Sequence, residues 1–208
     1  MDKFTNASAI AWLKALSATY QEKKDYLTAL DSQIGDADHG TNLSRGFAAV
    51  DIKLDTVADK DLGTILKTVA MTLISTVGGA SGPLYGSFFL QASTAVSGQT
   101  SVDKAGVGKM LDAGLASVMA RGKANLGEKT MIDAMLPAVK AFNDSPDDLL
   151  TTALVKASEA ARKGAEATIP LVATKGRASY LGERSAGHKD PGSESTAMLF
   201  ETLSNALK

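Results

Sequence analysis

Apolar residues recur at helical spacing along most of the chain. Near the amino terminus, Ile10, Leu13, Leu16 and Tyr20 fall on one face of a helix, and comparable stripes follow to the end of the sequence. The stretch 62–77 is apolar almost all round, which predicts the most buried helix of the fold. Because no stretch of useful length alternates between apolar and polar residues, the pattern predicts an all-α fold.

Start and stop signals divide the pattern into about eight helices. Six of them span roughly 5–31, 62–77, 83–96, 103–121, 130–142 and 145–168. The second begins at about residue 42, and the last runs from 190–191 to the C-terminus. The seventh has the clearest start signal, with Ser145 as N-cap, Pro146 in the first turn, and Asp147 and Asp148 facing the positive end of the helix dipole. Pro170 predicts that this helix ends early.

The lengths of the connections predict how the helices are arranged. The sequence predicts a single domain of residues 1–208. Because short loops make neighbouring helices antiparallel, this domain is predicted to be an up-down barrel or bundle. Alternate connections then share one end, which we call the mouth: 31–42, 78–86, 122–131 and 175–192. They hold twelve of the nineteen glycines and both histidines, whereas the opposite connections are plain polar turns. The chemistry is therefore predicted at the mouth.

Composition removes several classes of function. A net charge of −1 gives no general attraction to nucleic acid or to anionic membranes, so neither is predicted as a partner. With no cysteine, disulfides, thiol catalysis and cysteine-based zinc sites are excluded. Residues 1–19 carry Asp2, Asn6 and Lys14, which is unlike a signal peptide, and no stretch approaches a membrane span. The predicted location is the cytoplasm.

Three aspartates stand close together between the first two predicted helices. Asp31, Asp36 and Asp38 lie within eight residues, and their carboxylates repel one another unless a cation lies between them. Oxygen ligands without soft donors suit Mg²⁺, and the flanking glycines Gly35 and Gly40 let the backbone turn around an ion. The alternative is structural, in that Asp36 or Asp38 caps the following helix.

The other mouth segments each carry a phosphate-binding interpretation and a structural alternative. Residues 78–83 are small and precede a helix, which favours either an anion pocket or a tight turn; the chain has no Walker A motif. In 121–131, Thr130 either meets a phosphate or caps a helix, and Met131 packs on a base or in the core. Residues 175–190 form a glycine-rich, cationic stretch, interpreted as a mobile lid or as a solvated loop.

The sequence contains no convincing nucleophile and base pair. His39 and His188 are better interpreted as hydrogen-bonding ligands than as catalytic bases. What the mouth offers is positioning and neutralisation of phosphate charge, the usual requirements of phosphoryl transfer.

Four motifs in this order resemble the L subunit of bacterial dihydroxyacetone kinase. They are Gly-Asp-Ala-Asp-His-Gly-x-Asn (35–42), Gly-Gly-Ala-Ser-Gly-Pro (78–83), Arg-Gly-Lys with Lys-Thr-Met (121–131) and the lid motif with Gly-His-x-Asp-Pro-Gly (175–192). The resemblance implies an eight-helix barrel that holds ADP or ATP through two Mg²⁺ ions bound by Asp31, Asp36 and Asp38. It implies that the residues lining the nucleotide are His39, Gly40, Thr41, Asn42, Gly79, Ala80, Ser81, Gly122, Thr130, Met131, Arg177, Asp190, Pro191 and Gly192.

The short chain resembles the phosphotransferase-system-dependent type of the family. This implies that ADP is a coenzyme, that a phosphohistidine-carrying M subunit recharges it, and that a K subunit holds the accepting dihydroxyacetone. Two alternatives stay open: an ATP-exchanging kinase domain for a short ketose, and a nucleotide-sensing protein that binds a transcriptional regulator. A homodimer also stays open.

Overall fold

The computed structural model describes residues 3–145 and 149–207, most of which lie in helices. The α-helices are α1 (Asn6–Glu22), α2 (Lys24–Ile34), α3 (His39–Leu54), α4 (Leu62–Thr76), α5 (Ser81–Ala95), α6 (Lys104–Gly122), α7 (Ile132–Asn143), α8 (Leu150–Ala167) and α9 (Pro191–Asn205). A 3-10 helix covers Arg177–Ser185. Within the described residues, strand structure is limited to β1 (Phe4–Thr5) and β2 (Ser101–Val102), which pair antiparallel. The prediction of an all-α fold is confirmed.

The helices close into a ring. From α3 to α9 each helix packs against the next, α9 returns to α1 and α2, and these two pack on α3. Large aromatic side chains fill the interior and meet edge to face, as Tyr20 and Phe47 do at a centroid distance of 4.8 Å. Burial of each such side chain stabilises the fold by about 1.5 to 3 kcal/mol. The barrel therefore has a packed core, and open space is left at its mouth.

The predicted ranking of helix burial was wrong. α4 exposes Met71 and Ile74, whereas twelve of the fifteen residues of α9 are buried. Several buried residues of α9 are small and hydroxylated, and their hydroxyls bond backbone carbonyls; Thr196 Oγ1, for example, donates to Gly192 O. Hydropathy ranks such residues as polar and so misses the most enclosed helix. No helix in the described part of the chain is both long and apolar enough to cross a bilayer.

Two predicted helix starts and ends need correction. The first predicted helix is broken at Lys23, because residues 21–25 are exposed and no packing keeps α1 and α2 in line. α8 begins at Leu150, and Ser145 is not its N-cap but donates its hydroxyl to Ala141 O in the preceding helix. The other predicted start signals, Pro146, Asp147 and Asp148, lie outside the described residues. α8 ends at Ala167, before Pro170, as predicted.

The end of the barrel opposite the mouth is held by short backbone contacts. The β1–β2 pair lies here, and Leu62 N donates to Gln99 O at 2.7 Å. Asp61 caps α4 by accepting from Thr64 N, and Asp103 caps α6 in the same way. These contacts hold the helix ends in place at the far end of the barrel. The loops at the mouth are not needed for this and can make other contacts.

Candidate functional site

A cavity of about 370 Å³ opens at the mouth. Its walls come from all four glycine-rich connections, which the predicted antiparallel arrangement brings to one end. The lining residues fall into an acidic side (Asp31, Asp36, Asp38), a small-residue side (Gly79, Ala80, Ser81), an apolar side (Leu84, Val118, Ala124, Met131, Ile132) and a lid side (Lys175, Gly176, Arg177). Asp190, Pro191 and Gly192 form its floor near α9. The volume lies in the range of small-molecule sites.

The three aspartates form one cluster. One oxygen from each of Asp31, Asp36 and Asp38 lies within 4.8 Å of the others. Asp31 is buried on the last turn of α2, and its Oδ2 accepts from Asp38 N at 2.8 Å and from His39 N at 3.1 Å. The chain between them turns at Ala37, whose φ is +59°. The backbone thus folds around Asp31 and brings the other two carboxylates beside it.

The capping alternative for these aspartates is not supported. Asp38 is the residue before α3, but among the described residues its side chain makes no capping hydrogen bond. It lines the cavity instead. Asp36 is half-exposed and forms an ion pair with Arg177, Oδ2 to Nε at 3.0 Å. Neither carboxylate is committed to a helix end, so both are available to a cation.

The small-residue segment brings backbone close to the cluster. Gly79 has a φ of +64°, and an added Cβ there would lie 3.8 Å from Asp38 Oδ2. α5 follows from Ser81, and within the described residues no side chain caps its start. Its positive end therefore faces the cavity beside the aspartates, which suits an anion bound together with a cation.

Three residues predicted to contact a nucleotide are not among those that line the cavity. Of the described residues, Gly40, Thr41 and Asn42 do not line the cavity. Gly40 is where α3 crosses α2, and a Cβ there would lie 2.0 Å from Lys24 O. Asn42 Oδ1 accepts from Arg45 Nη2 at 2.7 Å, beside Gly78. Gly40 and Asn42 therefore contribute to the packing and hydrogen bonding of this segment, and the nucleotide contact of all three residues stays a prediction.

His39 belongs to a buried polar network that sequence reasoning missed. Its Nδ1 lies 3.0 Å from Ser81 Oγ and its Nε2 lies 2.9 Å from Ser195 Oγ, which in turn lies 2.7 Å from Tyr85 OH. Burial lowers the pKa of His39 to about 4, against a smaller opposing effect of the Asp31 charge. The ring is therefore neutral near pH 7 and acts as a hydrogen-bonding group. Ser195 lies 156 residues from His39, so no local pattern could have revealed the pair.

The loop before α7 forms the opposite wall of the cavity. Asp133 holds its shape, since Oδ2 accepts from Thr130 N at 2.7 Å and Oδ1 accepts from Gly127 N. Gly122, Thr130 and Met131, which were predicted to contact a nucleotide, line the cavity. The apolar side described above surrounds Met131 and offers a surface for a planar ring. Leu84 and Val118 of this surface were not predicted, because on sequence they are ordinary core positions.

The lid, residues 175–190, lies over the acidic side. Three of its glycines, at 176, 182 and 187, have positive φ values, and Ala178 packs in a small cluster with Ile34 and Ala173. Arg177 lines the cavity and pairs with Asp36, although the sequence shows no partner for it. At the end of the lid, Asp190 Oδ2 accepts from Ser193 N at 2.6 Å and caps α9. Burial raises the pKa of Asp190 to about 7, with further upward effects from nearby carboxylates.

Comparison with known proteins identifies the class to which this barrel belongs. The crystal structure of the dihydroxyacetone kinase from C. freundii in complex with AMP-PNP and Mg²⁺ superposes with a TM-score of 0.74 at 28% identity, over 99% of this chain and 35% of that one. A family model described as the DAK2 domain matches residues 33–205. The chain belongs to the DAK2 domain family, which confirms the resemblance drawn from the four motifs.

Shorter relatives match along almost their whole length. The ADP-binding subunit of the PEP-dependent dihydroxyacetone kinase of Escherichia coli K12 is 46% identical over 201 residues, covering 96% of each chain. An ADP-binding subunit of PEP-dependent dihydroxyacetone kinase 2 from Listeria innocua is 48% identical over 202 residues, covering 94% of this chain and 92% of the relative. The dihydroxyacetone kinase of Citrobacter freundii is 33% identical, and the match covers 35% of its length.

Proposed function

We propose that this chain is the ADP-binding subunit of a phosphoenolpyruvate-dependent dihydroxyacetone kinase. The observation that carries the proposal is the joint placement of three carboxylates and an uncapped helix start at one cavity. Carboxylates alone would repel a nucleotide, and a helix start alone would bind any anion. Together they fit a phosphate chain that arrives with its own metal. The similarity to named ADP-binding subunits along the full chain supports the same assignment.

The acidic cluster fits Mg²⁺. It supplies carboxylate oxygens, the ligand type that Mg²⁺ prefers, and these oxygens lie close enough to share ions. Asp31, Asp36 and Asp38 would hold two Mg²⁺ ions, which supply neutralisation of phosphate charge. Asp31 Oδ2 accepts from two backbone amides, which hold that carboxylate in position. Arg177, now paired with Asp36, adds a cation on the lid side.

The rest of the cavity fits the rest of a nucleotide. Gly79, Ala80 and Ser81 offer close backbone approach for phosphates, with the hydroxyl of Ser81 oriented by His39. The apolar side around Met131 would accept the adenine ring, and Gly122 leaves room beside it. The segment Asp190 to Gly192 forms the floor of the cavity.

The chain supplies positioning and leaves the exchange of the phosphoryl group to its partners. In the described cavity the Ser81 hydroxyl lies beside His39, but burial lowers the pKa of His39 to about 4 and both ring nitrogens are hydrogen-bonded, so this histidine is a poor general base. Such a half-site fits a bound ADP that serves as a coenzyme. The phosphoryl group would come from a phosphohistidine on an M subunit and pass to dihydroxyacetone on a K subunit.

The test separates a retained coenzyme from an exchanging substrate. The purified chain is expected to carry Mg-ADP at a stoichiometry near one, and to lack kinase activity with free ATP and dihydroxyacetone. Addition of a K subunit and a ³²P-labelled phosphohistidine donor should move label through the bound nucleotide to the sugar. Rapid exchange of bound ADP for free labelled ATP, with steady turnover on ATP alone, would contradict the coenzyme role.

That contrary result would favour an ATP-exchanging kinase domain. The match to about a third of the longer dihydroxyacetone kinase of Citrobacter freundii shows that this fold also occurs within larger kinases. Binding of a transcriptional regulator and formation of a homodimer stay predictions. Sedimentation of the Mg-ADP form, alone and with the candidate regulator, tests both.

A further inference from the structure

Lys129 is a buried cation that the proposed function does not use. It lies in the loop between α6 and α7, its exposed fraction is 1%, and its φ is +61°. Its ammonium group donates to four backbone carbonyl oxygens, at 2.5 to 3.3 Å from Nζ. These oxygens belong to Thr168, Ile169, Leu171 and His188. A lysine enclosed in this way is uncommon, because burial of a cation costs free energy unless its donors are satisfied.

The four carbonyls belong to the two stretches of chain that enter and leave the lid. Thr168 to Leu171 follow the end of α8 and lead toward the lid, and His188 lies where the lid returns to α9. Backbone bonds already join these stretches, since Gly187 N donates to Ile169 O at 2.8 Å and Asp190 N donates to Thr168 Oγ1 at 3.0 Å. Lys129 adds a bond from a third segment to both stretches at once.

The chemistry of the contact explains why a cation stands there. The carbonyls at the end of α8 carry the negative end of a helix dipole. Thr168 O already accepts from Leu171 N, and Ile169 O accepts from Gly187 N, but each carbonyl oxygen has a second lone pair that can accept a further bond. An ammonium group has three donors and can satisfy several carbonyls together. The carboxylates of Asp133 and Asp190 lie near enough to favour the charged lysine against its burial. A side chain without a donor would remove one hydrogen bond from each of these oxygens.

The same lysine lines the cavity itself, directly before two further lining residues. Thr130 and Met131 follow it in the chain, and Glu128 O accepts from Thr174 N at 3.3 Å on its other side. We call the stretches at Thr168 to Leu171 and His188 the lid base. A displacement of the lid base would therefore move the loop that carries Thr130 and Met131, and a displacement of that loop would move the lid base.

We propose that Lys129 is the positioning residue that fixes the base of the lid to the wall carrying Thr130 and Met131, its ammonium acting as a tethered cation in a cage of carbonyl oxygens. The effect on nucleotide affinity rests on the proposed function. The effect on the lid base does not, because the carbonyl oxygens that Lys129 bonds belong to the chain itself.

The experiment removes the cation and then returns it. Lys129→Ala deletes three methylenes and the ammonium group, which n-propylammonium can replace. In the nucleotide-free chain, amide exchange at Gly187 and Asp190 should become about 10- to 100-fold faster, the range expected for lost bonds to a charged group. n-Propylammonium should restore protection, and 1-propanol of similar size should not. Affinity for Mg-ADP should weaken over the same range and recover with the same amine.

Lys123→Ala is the matched control. Lys123 also has a left-handed backbone, with φ +49°, but its side chain is exposed. The control carries the same loss of charge and the same strained alanine, and should leave exchange and affinity unchanged. If Lys129→Ala does not fold, Lys129→Met keeps the side-chain volume and is measured in the same way.

Several results would overturn the proposal. These are unchanged exchange at the lid base in whichever variant folds, equal rescue by the amine and the alcohol, or equal effects in the Lys123 control. Failure of the unaltered chain to bind Mg-ADP would refute the proposed function alone, since exchange in the nucleotide-free chain still decides the role of Lys129.

Discussion

The two ends of the barrel differ in how they use aspartates at helix starts. At the far end, Asp61 and Asp103 stand before α4 and α6, and each accepts a hydrogen bond from the backbone of the helix that it caps. At the mouth, Asp190 likewise caps α9, but Asp38, in the same position before α3, makes no capping bond within the described residues. It is grouped with Asp31 and Asp36 instead. The same residue type at the same helix position thus acts as a cap in three helices, whereas Asp38 belongs to the cluster for which we propose a metal-binding role.

The difference shows what separates a cap from a candidate ligand. A carboxylate that accepts from backbone amides is satisfied by the fold itself. A carboxylate without such donors, beside two others, adds repulsion that only a cation or a proton removes. The position at a helix start does not distinguish a cap from a candidate ligand. The presence of neighbouring carboxylates does distinguish them.

The largest expected effect is on metal-dependent binding. Asp36→Ala or Asp38→Ala should weaken Mg-ADP binding by about 100-fold or more, since each removes a charged ligand from a partly enclosed site. Asp103→Ala, at the far end, should leave affinity unchanged. Isothermal titration with Mg-ADP, and circular dichroism to check the fold, provide the measurements. Stoichiometric nucleotide in either mouth variant would remove the assigned role of the cluster.

A smaller and opposite pattern is expected for stability. Asp61 accepts from Thr64 N at 3.1 Å, from Thr64 Oγ1 at 2.6 Å and from Gly98 N at 3.0 Å. Asp61→Ala should therefore lower the free energy of unfolding by about 1 kcal/mol at pH 7, the usual value for a lost cap. Nucleotide affinity should not change. Urea unfolding with and without Mg-ADP measures both quantities.

The pH dependence of that loss follows from the same hydrogen bonds. The bonds from Thr64, and then the bond from Gly98 N, lower the pKa of Asp61 in the folded chain. A lowered pKa means that the stabilisation is present above the unfolded pKa of about 3.9 and disappears as the pH falls through the folded value. The difference between Asp61→Ala and the unaltered chain should therefore shrink below about pH 4. A difference that stays constant down to pH 2.5 would contradict the cap.

How far the sequence predicted the site depended on how far apart its parts lie in the chain. Asp31, Asp36 and Asp38 lie within eight residues, so their repulsion can be inferred from local spacing, and the cluster is present. The helical periodicity predicted the barrel, because helices that follow one another in the sequence also contact each other in the structure. Lys129 and Ser195 were missed, because their partners lie 39 to 59 and 156 residues away. Such contacts depend on how the ring closes, which periodicity does not fix.

A further, smaller effect concerns repulsion in the cluster. Asp38→Asn keeps the shape of the side chain and removes one of three like charges. Without Mg²⁺ or nucleotide, it should raise the free energy of unfolding by about 0.5 kcal/mol, the scale of partly exposed charge pairs. The gain should fade at high salt, which screens the repulsion. Thermal unfolding in EDTA at low and high salt tests this, and a decrease in stability would show that the cluster is held together without a cation.

The smallest effect compares two turns with left-handed backbone. At the far end the turn uses glycine, since Gly98 has a φ of +72° and open space where a Cβ would lie. At the mouth the position is Ala37, with a φ of +59° between two members of the cluster. Alanine in this region costs about 1 kcal/mol more than glycine, and the greater freedom of glycine in the unfolded chain cancels about 0.4 to 1 kcal/mol of that difference. Ala37→Gly should therefore change stability by only a few tenths of a kcal/mol upward, and Gly98→Ala by a similar amount downward. Paired urea titrations measure the two signs, and a clear loss in Ala37→Gly would mean that the methyl group of Ala37 contributes contacts to the loop that outweigh its backbone strain.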